Sequence, residues 1–147
     1  LQRARIGAVA VDAGALLGTK YGISAAAYPS EDIRNITLDR ARALYRRDYW
    51  GPAGCDVVPD CMKADLFDAA VLAGVGAARR MLQRAAGVQD DGEIGRLTML
   101  AISSFDPHRL AAGFQGQFLD YLNNNPTKWA KFGRGWAQRV AENLMSA

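Results

Sequence analysis

Apolar residues recur at helical spacing through most of this chain. Residues 2–11, with Ile6, Val9 and Ala10, predict a first helix. From Thr37 onward, TLDRARALYRRDYW places Leu38, Ala41, Leu44, Tyr45 and Tyr49 on one face toward a core, with Thr37 as N-cap. CMKADLFDAAVLAGVGAARRMLQRAAG predicts one long helix, capped by Asp60 and ended by Gly87. Its apolar face runs through Leu66, Phe67, Ala70, Val71, Gly74, Val75, Ala78 and Leu82. A short helix from about 95 to 103 follows an Asp-Gly turn. Asp106 and Pro107 open the next, which reaches about Leu122. After NNNP, a last helix from about Thr127 to Met145 carries Trp129, Phe132, Trp136, Val140 and Leu144. Residues 12–24 read as a Gly-rich loop, and no stretch alternates strictly enough to predict a strand. The expected fold is all-α, about six helices around Phe67, Val71 and the C-terminal aromatics.

Composition narrows the class. At 147 residues, half apolar and 22% charged, the chain is long enough to bury its own core. No apolar run spans a bilayer, so membrane insertion is not expected. Arg3 and Arg5 precede an apolar stretch, but Asp12 and several glycines interrupt it, so no convincing signal peptide is read. Two cysteines and one histidine cannot make a four-ligand zinc site, and neither metal nor cofactor is expected. Cys55 and Cys61 either pair or stay separate thiols. The net charge of +3 suits an anionic partner. The charges of Arg40, Arg42, Arg46 and Arg47 are partly balanced by Asp39 and Asp48, a solvated face rather than a nucleic-acid stripe. A monomer is expected.

The motifs TKYGIS, ALYRRDYW, LFDAAV, LQRAAGV, DGEIG and the closing GW-A-QRV occur in order along nearly the whole chain. Together they resemble glycoside hydrolase family 108, the bacterial and phage N-acetylmuramidases. The resemblance implies a lysozyme-like helical domain over residues 1–147. It divides into a catalytic-type half, 1–81, and a peptidoglycan-binding-like half, 82–147, with peptidoglycan as partner. It also implies a general-acid Glu in a Glu-Gly-Gly-Tyr motif at the end of the first helix. Glycoside cleavage needs such an acid to protonate the departing oxygen. Here residues 1–30 contain no Glu. In one alignment VDAGAL supplies Ala13 at the Glu position, Ala15 at a Gly and Leu16 at the Tyr, with Leu17 in a shortened loop. In the other, Arg5 falls at the Glu position. Leu72 replaces the Asn of the family's Asp-x-Ala-Val-Asn helix.

These departures make the family's sugar cleft apolar. The expected cleft residues are Ala13, Leu16, Leu17, Thr19, Tyr21, Trp50 and Leu72. Hydrolysis is expected to be weak or lost. Three functions stay open: an acid-less muramidase scaffold, a site for a small apolar ligand with Asp12 or Asp68 as base, and a wall-binding module that does not cleave. Natural repurposing and engineering are both open as origins. Asp91, Gly92 and Gly95 match the family's DGxxG turn, for which a structural role is expected.

Overall fold

The computed structural model describes residues 18–146. Among these the fold is mostly helical, with six α-helices of eight residues or more. They are α1 (Leu38–Tyr45), α2 (Asp60–Ala73), α3 (Val75–Ala85), α4 (Arg96–Ser104), α5 (Pro107–Asn123) and α6 (Pro126–Ser146). The first helix expected over residues 2–11 lies outside the described residues. The chain forms two compact units, one ending at Arg47 and one beginning at Asp48.

The described part of the first unit holds two strands, where a loop was expected. β1 (Thr19–Lys20) and β2 (Ile23–Ser24) pair antiparallel, Thr19 opposite Ser24 and Lys20 opposite Ile23. Strands of two residues are too short to show an alternating pattern, so the turn carries the signal. Tyr21 and Gly22 take φ of +54° and +79°, the left-handed pair that matches a two-residue hairpin to strand twist. Gly22 does this freely, whereas Tyr21 pays a steric cost of about 1 kcal/mol. The Tyr45 hydroxyl donates to the Tyr21 carbonyl at 3.2 Å and holds that conformation. Beneath the hairpin, Ile23, Ala25, Ile33, Ile36, Ala41 and Leu44 form a small core with Tyr28 and Tyr45 against it.

Thr37 caps α1 as expected, accepting the Arg40 N–H at 3.1 Å. Across the preceding loop, Arg40 holds Glu31 at 3.1 and 2.5 Å. The α-helix does not reach Trp50: it passes into one π-helical turn, Arg46–Trp50. Leu38, expected in the core, is 40% exposed. It is the first residue of α1, where the core-facing stripe has not yet begun; Ala41 and Leu44 carry the burial.

In the second unit, the long helix expected from residue 61 to 87 is two. Gly74 stands between α2 and α3 at φ +99°, ψ 152°, a conformation essentially confined to glycine. The break lets α3 turn back and pack against α2, and both pack against α5, which packs in turn with α6. Pro59 takes the N-cap position of α2 without a side-chain bond; Asp60 instead begins the helix and reaches Lys63 at 3.0 Å. Gly87 ends α3 as expected. At φ +74°, its N–H goes to Arg84 O at 3.1 Å and that of Val88 to Gln83 O at 3.0 Å, the paired bonds of a Schellman cap. Asp106 caps α5 through the Arg109 N–H at 2.9 Å.

The core of this unit gathers Met62, Leu66, Ala69, Ala70, Met81, Leu82, Leu110, Phe114, Phe118, Leu122, Trp136 and Val140. Phe67 and Val71, expected at its centre, are only half-buried. The α2 stripe that turns inward is Met62–Leu66–Ala69–Ala70, about 100° around the helix from Phe67 and Val71. Trp129, Phe132 and Leu144 likewise stay 44%, 38% and 42% exposed, while Trp136 and Val140 go in.

Candidate functional site

The expected cleft residues fall into three groups. Asp12, Ala13, Leu16 and Leu17, with Arg5, lie outside the described residues. Thr19 and Tyr21 belong to the hairpin of the first unit. Thr19 is half-buried in β1 and Tyr21 is 43% exposed at the turn. Lys20 between them reaches the Arg34 carbonyl at 3.3 Å. The Glu31 carboxyl is held below its ordinary range, chiefly by its bond from Arg40.

Trp50, Asp68 and Leu72 belong to the second unit. The Trp50 indole N–H donates to Asp56 at 2.8 Å, and its ring meets Phe67 with centroids 5.7 Å apart. Leu72 is half-buried and packs against the main core. Asp68 accepts from Arg139 Nη1 at 2.7 Å, with both side chains about four-fifths buried. The bond ties α2 to α6 across 71 residues, joining the LFDAAV and QRV motifs. The guanidinium thus occupies a carboxylate oxygen that a catalytic base would need to offer to its substrate.

One turn earlier on α2, burial pushes the Asp65 carboxyl up, with Gln115 opposing and Asp68 adding to the effect. Gln115 is 2% exposed, and neither of its amide atoms makes a hydrogen bond. It lies near enough to Asp65 to favour the anion in part, without the geometry of a bond. Sequence reading singled out neither residue, because a polar residue inside an apolar stripe looks the same whether it meets water or a neighbouring helix.

The DGEIG turn has a structural role of clear origin. Gln83, 1% exposed on α3, donates through Nε2 to Asp91 at 2.8 Å, Glu93 O at 2.9 Å and Thr98 Oγ1 at 3.2 Å. Its Oε1 accepts the buried Gly92 N–H at 2.8 Å. Asp91 is held below the usual carboxylate range by the Glu93 N–H and then by Gln83. Gly92, at φ +83°, supplies the left-handed turn that lets four groups converge on one amide. Arg79 staples the same turn to the short helical segment Gly51–Ala53, donating to Gly92 O at 3.3 Å and Pro52 O at 2.6 Å. Sequence reading missed both Gln83 and Arg79. Each stands beside an exposed arginine, Arg80 or Arg84, so no local signal set them apart from solvent-facing polar residues of α3.

Cys55 is buried and Cys61 exposed, both as free thiols. Among the described residues no three His, Cys, Asp or Glu side chains come together to hold a metal ion. No described helix is long and apolar enough to cross a membrane.

Comparison with known proteins places these features. Residues 7–74 match the family described as glycosyl hydrolase 108. Residues 77–141 match the family described as predicted peptidoglycan domain. The solved structure of SagA from Brucella abortus is 26% identical. It superposes with a TM-score of 0.76 over 92% of this chain and 82% of that one. No curated protein matches. The α2–α3 break at Gly74 falls at the junction of the two matched segments, and the Asp68–Arg139 pair bridges them. The chain therefore joins a segment matching the glycosyl hydrolase 108 domain to one matching the predicted peptidoglycan domain, in a mostly helical, lysozyme-like fold.

Proposed function

We propose that this chain engages bacterial peptidoglycan through a lysozyme-type scaffold that lacks its general acid, so that it holds the polymer and cleaves it weakly or not at all. One observation carries the reading: within the stretch that matches the hydrolase family there is no Glu before Glu31. Ala13 or Arg5 stands where the acid is expected. Glu31 itself is no substitute, because its carboxyl is paired with Arg40 and held in the charged form. A general acid must carry a proton at the working pH.

Asp68 is better read as the residue that holds α2 to α6 than as a base in an altered groove, since Arg139 occupies it. The matched peptidoglycan-binding domain supports retention on the wall.

Loss of a general acid typically lowers rate by about 10²–10⁴-fold. Turbidity clearance of purified peptidoglycan should therefore be near background for this chain. A13E should restore it by about 10²-fold or more under the first alignment. Recovery with R5E instead selects the second alignment. Clearance by the unmodified chain at the rate of an active muramidase refutes the proposal.

A further inference from the structure

On α6 an aromatic stripe runs from the core out to the surface. Trp136 is 9% exposed and lies between Phe118, at 6.3 Å between centroids, and Phe132, stacked at 5.8 Å and 21°. Phe132 is 38% and Trp129 44% exposed. Neighbouring exposed aromatic rings on one helix face are the kind of surface that marks an interaction site.

The outermost ring has a seat built for it. Gly133 is one turn beyond Trp129, on the stripe that continues to Trp136 and Val140, and it is buried. A Cβ placed there would stand 2.6 Å from Trp129 Cε3 and 2.8 Å from Cγ. The indole therefore lies flat on the helix backbone, in space that any side chain at 133 would fill. Glycine inside a helix is unfavourable by about 1 kcal/mol relative to alanine, so local propensity does not account for it. With one ring face on the backbone, the other is presented to solvent as a fixed plane.

The surroundings are cationic. Residues 126–135 hold Lys128, Lys131 and Arg134, all exposed, and no acid. The Lys131 ammonium lies 5.7 Å from the Phe132 ring centroid. Lys128 lies 3.1 Å from the Tyr121 hydroxyl and 5.8 Å from that ring's centroid.

We propose that Trp129, supported by Phe132 and set flat by Gly133, is a stacking platform for the pyranose rings of a peptidoglycan glycan strand. Lys128, set against Tyr121, and Lys131, set against Phe132, face the carboxylates which that polymer carries. A flat ring accepts the apolar C–H face of a sugar, and a cationic rim selects an acidic glycan over a neutral one. The assignment rests on the wall-binding reading above and adds the surface that performs it.

The test is co-sedimentation of the full chain with purified peptidoglycan sacculi, with circular dichroism and thermal melts of every variant. W129A should weaken binding about tenfold or more. G133A should weaken it comparably while its melting temperature is unchanged or raised, because only the indole's seat is lost. W129F should recover part of the binding, and L97A, at an exposed apolar position on another helix, should change nothing. Raising salt should weaken binding of the unmodified chain.

Binding by the unmodified chain that W129A and G133A leave intact overturns the platform and spares the wall-binding reading. No binding by the unmodified chain overturns both. Retention on vesicles of anionic phospholipid in place of sacculi, lost in W129A, assigns the surface to lipid and also overturns the proposal.

Discussion

Replacing Gln83 with methionine tests whether one buried amide organises the DGEIG turn. Methionine has a similar length and volume, so little cavity is made. The Gly92 N–H, buried and bonded to Gln83 Oε1 at 2.8 Å, is left without that acceptor. Such a stranded donor costs about 1–3 kcal/mol. The Asp91 carboxylate loses its 2.8 Å bond from Nε2, but it is exposed and keeps the Glu93 N–H at 2.8 Å. Water therefore replaces most of that loss. Glu93 O retains Thr98 Oγ1, only at 3.4 Å. The sum is about 3 kcal/mol, dominated by the Gly92 amide. At about 4 °C per kcal/mol for a domain of this size, the melting temperature should fall by about 12 °C.

Urea unfolding followed by tryptophan fluorescence reads the free energy, and amide hydrogen exchange reads Gly92 directly. Exchange at Gly92 should accelerate in Q83M by more than at the α3 amides around it. Q83E gives an independent check. At neutral pH the introduced carboxylate offers acceptors where Asp91, Glu93 O and Thr98 need a donor, so Q83E should be less stable than Q83M. The gap should close below about pH 4, where the carboxyl protonates and can donate again. A Q83M protein within about 0.5 kcal/mol of the unmodified chain, with Gly92 exchange unaltered, refutes the assignment.

Two further outcomes follow from burial. Burial pushes the Cys55 thiol up to about 12. At pH 8 the native protein should therefore expose one titratable thiol per chain, Cys61, and a second only on unfolding, as measured with a thiol-reactive chromophore. Asp65 has its carboxyl pushed up by burial, so the folded state binds that proton more tightly than the unfolded state. Stability from this site is greatest below the unfolded value and is lost as pH rises through the raised folded value. D65N mimics the protonated form. It should raise the melting temperature at pH 7 and lose that advantage near pH 3; a lower melting temperature at pH 7 would show that the anion itself is stabilising.

Local rules were legible wherever a residue acts on its own neighbours. The caps at Thr37 and Asp106, the stop at Gly87 and the helices α4, α5 and α6 all follow from interactions spanning three or four residues. The motifs that resemble the hydrolase family, and the absence of Glu from residues 1–30, are likewise properties of the chain read in order. Tertiary structure decided what depends on which surfaces meet. Gly74 is compatible with a continuous helix or with a break; packing of α3 back onto α2 chose the break. Whether Phe67 or Leu66 enters the core depends on a rotation of the helix that apolar periodicity alone leaves broad, whereas Trp129 and Trp136 share one face of α6 and position along the helix decides which is covered. The fates of Gln83 and Asp68 rest on partners 8 to 15 residues away in one case and 71 in the other. A buried polar side chain is stabilised by the group across from it, and that group is known only once the helices are placed.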